Sequence, residues 1–224
     1  MKNWLRWLLS FTLKPFLQHY YLKSARQYRY KHLKLKVEPG VFHPGLFFSS
    51  KFMASFIHRL ELANSRMLDM GCGSGMLSFV AAQKGAEVVS VDLSDAALAN
   101  TLSNALANNI DVTVLKSDLF DQVDGHFDLI VVNPPYYPRN PKNEQQLAWY
   151  CGEQFQYFQR FFAALSHHTK ESSQVFMVLS EGCDLQSIKA IAAEYQFTMH
   201  CICEKNLWLE RNYIFAIQRN QTNN

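Results

Sequence analysis

Three carboxylates, a glycine-rich turn and an Asn-Pro-Pro-Tyr tetrapeptide are the residues of this 224-residue chain whose types and spacing could do chemistry. The turn reads Asp69-Met70-Gly71-Cys72-Gly73-Ser74-Gly75. Glycines there let the chain bend sharply into a helix and let a ligand approach bare backbone. Met76 stands where a dinucleotide fingerprint would need its third glycine. The GxGxG spacing, with an acid two residues ahead of the first glycine, suits a cofactor without a pyrophosphate better than a nicotinamide dinucleotide. Asp92 lies 21 residues past Gly71, where an acid can accept hydrogen bonds from both hydroxyls of a ribose. Ser117-Asp118-Leu119 sets another carboxylate beside the pocket, and Asn133-Pro134-Pro135-Tyr136 directly follows an apolar run. Each acid alone is more often a loop or capping residue. Four such features after four successive strands point to one site.

These residues meet only if the chain brings the ends of its strands side by side. From about Arg66 onward, short apolar strands alternate with helical stretches. Strands are expected at Arg66–Met70, Glu87–Asp92, Asp111–Leu115, Phe127–Asn133 and Gln174–Leu179. Helices are expected at Met76–Lys84, at Asp95–Asn108 with Ser94 as its cap, at Gln154–Leu165 and at Asp184–Tyr195. Phe197–Glu204 and Asn212–Gln218 should close the fold as an antiparallel hairpin around Lys205–Arg211. That order implies an α/β protein with a mostly parallel sheet covered on both faces. Ligands of such sheets bind beyond the carboxyl ends of the strands, where all four features fall.

The composition is that of a globular chain, 48% hydrophobic and 18% charged, which excludes disordered, collagenous and coiled-coil classes. At this length roughly 70% of the unfolded surface can be buried, so the core needs neither disulfides nor metals. The five Cys include no CxxC pair, and no metal site is expected. They read as buried reduced thiols of a cytoplasmic protein, with Cys201 and Cys203 spaced for one face of a strand. The net charge of +3 conceals an asymmetry. Residues 1–40 hold nine Lys/Arg against Glu38 alone, a balance of +8, and the remainder carries −5. The expected organisation is therefore a basic, aromatic-rich extension over 1–40 and a domain over 41–220. Nucleic acid, a ribosomal surface or an anionic membrane would attract such an arm. Its apolar stretch, Trp7 to Leu13, is too short to span a bilayer, and no small-residue cleavage site follows. A helix there would bury its apolar surface against the domain, a partner or a membrane surface.

Together LDMGCGSG, VDLSD, KSDLFD and FDLIVVNPPYYP resemble a class I S-adenosylmethionine-dependent methyltransferase. NPPY is similar to the branch that methylates planar nitrogens, and within it the chain is most like the release-factor glutamine methyltransferases (HemK-like). Val41-Phe42-His43-Pro44 echoes that family's cofactor-covering segment, and Trp149-Tyr150-Cys151-Gly152-Glu153 the start of its helix after NPPY. The segment after Pro44 departs from the family pattern, with Gly45-Leu46-Phe47-Phe48 in place of an acid or arginine. The resemblance implies a Rossmann-like, doubly wound, seven-stranded sheet with an antiparallel C-terminal hairpin and a short basic helical N-terminal extension. It implies S-adenosylmethionine bound by Asp69, Gly71, Gly73, Gly75, Asp92, Leu93, Asp118, Leu119 and Asn133, and catalysis by Asn133, Pro134 and Tyr136.

The nucleophile explains why those last residues suffice. An amide or aniline-like nitrogen delocalises its lone pair, so it gains most from alignment with the methyl and from acceptors for its N–H groups. Asn133 offers a side-chain carbonyl and Pro134 a backbone one, on a stretch that two prolines stiffen. Tyr136 can stack on the planar group. His43 is not needed as a base, and Trp208, Glu210 and Arg211 fit a role in closing the sheet. The expected acceptor is a glutamine side chain in a translation or ribosomal protein, with an rRNA or tRNA base amino group as the alternative. An inactive binding module of the same fold is a third possibility, although every motif position is intact.

Overall fold

Runs of Val, Leu, Ile and Met with almost no polar interruption become the buried centre of one sheet. In this computed structural model, residues 24–46, 48–207 and 210–220 are described. A two-stranded antiparallel hairpin comes first, β1 (Arg26–Tyr30) and β2 (Leu33–Val37), followed by helix α1 (Phe48–Ile57). Then β3 (Arg66–Met70), α2 (Met76–Ala82), β4 (Glu87–Asp92), α3 (Asp95–Asn108), β5 (Thr113–Lys116) and β6 (Phe127–Val132) alternate. The chain closes with α4 (Gln156–Leu165), β7 (Thr169–Ser180), α5 (Leu185–Glu194), β8 (Phe197–Leu207) and β9 (Glu210–Arg219).

The seven strands β3–β9 form one sheet in the order β5-β4-β3-β6-β7-β9-β8. From β5 to β7 every pairing is parallel, and the β8–β9 hairpin runs antiparallel, as the sequence predicts. Strands buried on both faces need cover on both. Leu68, Met70, Ile130 and Val132 pack against α4 and α5 through Phe158, Phe161, Phe162 and Ile188. Met67, Leu129 and Val131 pack on the other face against α1 and α2, through Phe52, Met53, Phe79 and Val80. Order runs outward from β3 in both directions, so the switch point lies between β3 and β6, where a ligand crevice opens in such sheets.

Most expected elements match within a few residues, and Ser94 caps α3 by accepting the Ala97 N–H at 3.3 Å. The segment just before the boundary expected at residue 40 packs against the sheet's helices. Leu33, Leu35 and Val37 are buried, the two leucines in the core beside α1 and α2. Three asparagines one helical turn apart on α3 account for this docking. Oδ1 of Asn108, Asn104 and Asn100 accepts the N–H of Lys34, Lys36 and Glu38 at 2.9, 2.8 and 3.1 Å. Their Nδ2 groups return hydrogen bonds to the carbonyls of Lys34 and Lys36. Four helical residues advance ~6 Å and two strand residues ~7 Å, so the side chains act as a second ladder along β2. The apolar segment expected to form a helix near the N-terminus lies outside the described residues. The thiol expectation also needs correction. Cys72, Cys151 and Cys183 are buried, but Cys201 is exposed on the edge strand. A register shift between Cys201 and Cys203 breaks the simple two-residue alternation there.

Candidate functional site

Strand register levels the loops that hold the chemistry. Met70 pairs with Val91 on one side and with Val132 on the other, so Gly71, Asp92 and Asn133 leave the sheet at one height. They line a cavity of about 450 Å³, which also takes in Gly73, Leu93, Asp118, Leu119, Pro134 and Tyr136. That volume suits a small-molecule ligand.

The glycine turn is held from below. Gly71 and Cys72 donate backbone N–H groups to the Val91 carbonyl, both at 2.9 Å. On α3, Thr101 Oγ1 donates to the Gly73 carbonyl and Asn104 Nδ2 to that of Ser74, each at 3.0 Å. Gly71 has φ +81°, and a Cβ built there would meet nothing within 4 Å. Its bare face therefore borders open space, as a ligand cradle requires. Gly75 differs, for a Cβ there would lie 2.4 Å from the Phe79 ring, and the residue is outside the cavity wall. Asp69 is likewise not part of the cavity wall, and its Oδ1 is buried without a hydrogen-bond partner among the described residues. It is 1% exposed, and its Oδ2 accepts from the Ser78 N–H at 3.0 Å and hydroxyl at 2.6 Å. Burial pushes its carboxyl up to about 6 against those hydrogen bonds. Both residues stand at the start of α2, and neither is part of the cavity wall.

Asp92 sits at the cavity with one oxygen on the Gly73 N–H and the other on the Ser94 N–H, each at 3.0 Å. Burial raises its carboxyl above the usual range, and the backbone N–H groups oppose that rise. Asp118 is also on the wall, but its carboxylate is shared with Arg160 of α4, at 2.7 Å. Arg160 reaches Asp121 as well, at 3.2 Å, and these pairs raise its already high guanidinium value. Arg160 is the partner that the sequence reading did not foresee.

Asn133 donates Nδ2–H to Ser50 Oγ, 3.1 Å away on α1. Ser50 is buried and lines the same cavity. With one N–H given to Ser50, the Asn133 amide is anchored at the end of β6 on the cavity wall. Tyr136 stands on the wall with its ring 4.8 Å from that of Tyr137. The chain then makes an excursion over the cavity, tied down where the Tyr137 N–H donates to the Trp149 carbonyl and the Cys151 N–H to that of Tyr137, both at 3.0 Å. Phe42 packs on Trp149 at 5.2 Å, joining this cover to the Val41–Pro44 segment. His43 points elsewhere. Its Nδ1 accepts the Gly45 N–H at 3.1 Å, and burial lowers its pKa, so it caps its own turn. Ser50, Arg160, Glu144 and Tyr157 belong to the wall and were absent from the sequence reading. The i, i+4, i+8 asparagines of α3 were a signal that would have found its underpinning.

The family model described as Methyltransferase small domain matches residues 32–206. A Methanocaldococcus jannaschii protein named protein N5-glutamine methyltransferase is 36% identical over 107 residues, 47% of this chain and 52% of that one. The chain spans about half the length of the curated relatives it matches. Among solved structures, a ribosomal protein L11 methylase from Lactobacillus delbrueckii subsp. bulgaricus superposes with a TM-score of 0.61 at 26% identity, covering 83% of this chain and 84% of that one. A Thermus thermophilus 16S rRNA N2 G1207 methyltransferase, in complex with AdoMet and guanosine, shares the fold with a TM-score of 0.63 at 20% identity. It covers 88% of this chain and 50% of that one.

Proposed function

Because the chain belongs to the Methyltransferase small domain family, we propose that it is an S-adenosylmethionine-dependent N-methyltransferase whose acceptor is a planar nitrogen, a glutamine side-chain amide of a translation or ribosomal protein. One observation carries the reading: the Asn133 amide, its nitrogen tied to Ser50, faces the cavity that Asp92 and Gly71 also border. The donor and acceptor halves of a transfer reaction would meet there.

The residues present fit the cofactor. Gly71 leaves open space where a side chain would intrude, and Asp92 offers carboxylate oxygens to a ribose diol. Leu93 and Leu119 supply apolar wall for an adenine, and Asp118 a carboxylate for its amino group. When bound, S-adenosylmethionine supplies an electrophilic methyl on a sulfonium. The chain's own contribution is to orient the nitrogen. The Asn133 carbonyl and the Pro134 backbone carbonyl accept its two N–H groups, which directs the lone pair at the methyl. Tyr136 stacks on the planar group, and the cover from Phe42 and Trp149 excludes water. No general base is required, since the proton becomes acidic only as the new bond forms. The names of the glutamine and L11 methyltransferases among the relatives support a protein acceptor.

The test is methyl transfer from tritiated S-adenosylmethionine to lysate of a strain lacking the gene, followed by protease or nuclease. Label in protease-sensitive, nuclease-resistant material is the expected result. Label lost to nuclease would move the acceptor to a base amino group.

A further inference from the structure

The outer face of the β1–β2 hairpin takes no part in the cavity, yet its composition is not that of an ordinary solvated edge. Strand alternation turns Leu33, Leu35 and Val37 inward and leaves Lys34 and Lys36 exposed. On β1 it leaves Gln27 and Arg29 exposed, while Tyr28 faces His43 and Tyr30 stacks on His58. Register sets Arg29 directly across from Lys34, and Gln27 across from Lys36. Lys31, exposed in the connecting turn, adds a fourth cation at the tip. Like charges directly opposite each other destabilise a hairpin. Among the described residues, only Lys36 of these four has an acid within ion-pair reach, Glu38. The inward leucines and the asparagine ladder of α3 hold this repulsive arrangement in place. β2 then runs on into Gly40–Phe42, which form part of the cavity wall.

We propose that the outer face of the β1–β2 ribbon binds RNA through its phosphates, beside the mouth of the cavity. A row of cations ~7 Å apart along a strand, on a ribbon that cannot collapse onto them, suits a polyanion whose charges recur regularly. The face lacks the features that other partners need. Among the described residues it exposes no aromatic anchor of the kind that dominates protein interfaces, because both tyrosines of β1 are half-buried against the domain. Nor do the described residues of this face expose an apolar stripe to enter a bilayer. The remainder of the chain beyond residue 40 is net acidic, so the excess of positive charge lies in residues 1–40, to which this ribbon belongs. The inference holds whichever nitrogen is methylated, since an acceptor protein bound to ribosomal RNA and an RNA acceptor would both be presented this way.

The test is fluorescence anisotropy of a labelled single-stranded RNA 20-mer titrated with the full chain across a range of salt. The variant carries R29Q, K34Q and K36Q together, all at exposed positions, and K205Q on the far hairpin is the control. The magnitude of the log–log salt slope should fall by about 2–3, because each phosphate contact contributes roughly 0.7–0.9. At 0.1 M salt that corresponds to affinity weakened about 100-fold, while K205Q leaves it unchanged. S-adenosylmethionine binding by calorimetry should be the same in all three proteins, which separates this outcome from any failure of the cofactor assignment. An unchanged slope in the triple variant overturns the proposal. So does polyglutamate competing as well as unlabelled RNA, which would assign the face to an acidic protein. Binding to phosphatidylserine vesicles that the triple variant loses, with RNA binding retained, would assign it to a membrane.

Discussion

Asn133 is a hydrogen-bonded residue at the end of a buried strand, and in the proposed reaction its carbonyl orients the acceptor nitrogen. Replacing it with Ala removes one acceptor and strands only the Ser50 hydroxyl, which can turn. Turnover at saturating cofactor should drop roughly 10²–10³-fold with little change in melting temperature. Asn133→Asp keeps an acceptor oxygen and should retain far more activity than Ala. An Ala variant as active as the parent would refute the orienting role. Asp69 is a buried carboxyl whose Oδ2 is bound by Ser78. Its value of about 6, against 3.8 for the free group, keeps it protonated when folded at pH values where the unfolded chain has ionised it. Its contribution to stability is thus complete below about pH 4 and lost as pH rises through about 6. The loss is on the order of 3 kcal/mol at most. Denaturant unfolding of Asp69→Asn should show a flatter dependence between pH 4 and 7 than the parent, and a parallel profile would exclude this source.

At the scale of elements, α3 does more than cover the sheet. One polar stripe of this helix holds the carbonyls of the glycine turn and the free edge of β2, so loop and hairpin share a support. Asn104 is 1% exposed and bonds to both, whereas Asn108 lies at the exposed end of the ladder. Asn104→Ala leaves several buried polar groups unpaired and should cost about 2–4 kcal/mol, with weaker cofactor binding. Asn108→Ala should cost under about 1 kcal/mol, since water replaces the lost partner. Thermal unfolding and calorimetry of the two variants would distinguish them, and equal losses would refute a shared support.

At the scale of the molecule, the hairpin is structural as well as basic. Each of Leu33, Leu35 and Val37 contributes roughly 1.5–3 kcal/mol by burial, a large share of a typical domain's stability. A chain lacking residues 1–38 should therefore lose its cooperative melting transition and its cofactor binding together. Retention of both would show that the domain stands without the hairpin. The two-sided cover of the sheet has a related consequence. The helices on one face carry Ser50 and the glycine-turn support, and those on the other carry Arg160, so the cavity closes only when both layers are packed.

Much of this was legible in the chain. Hydrophobic periodicity gave the strands and helices from Arg66 onward, because a strand buried on both faces must be apolar at nearly every position, as in Phe127–Val132. The spacing Gly71, Asp92, Asn133 was visible as well, since each residue ends a strand and strand ends converge in a parallel sheet. Three things were not. Asp69 and Gly75 share the motif of the cavity glycines, but only backbone angles and packing decide which side of the turn each faces. The β1–β2 hairpin was lost among basic residues, since five-residue strands signal weakly and Lys34 and Lys36 mask the buried alternation of Leu33, Leu35 and Val37. Ser50 and Arg160 lie 83 residues before Asn133 and 42 after Asp118. A contact at such separations leaves no local pattern, because it exists only once the helices have settled on opposite faces of one sheet.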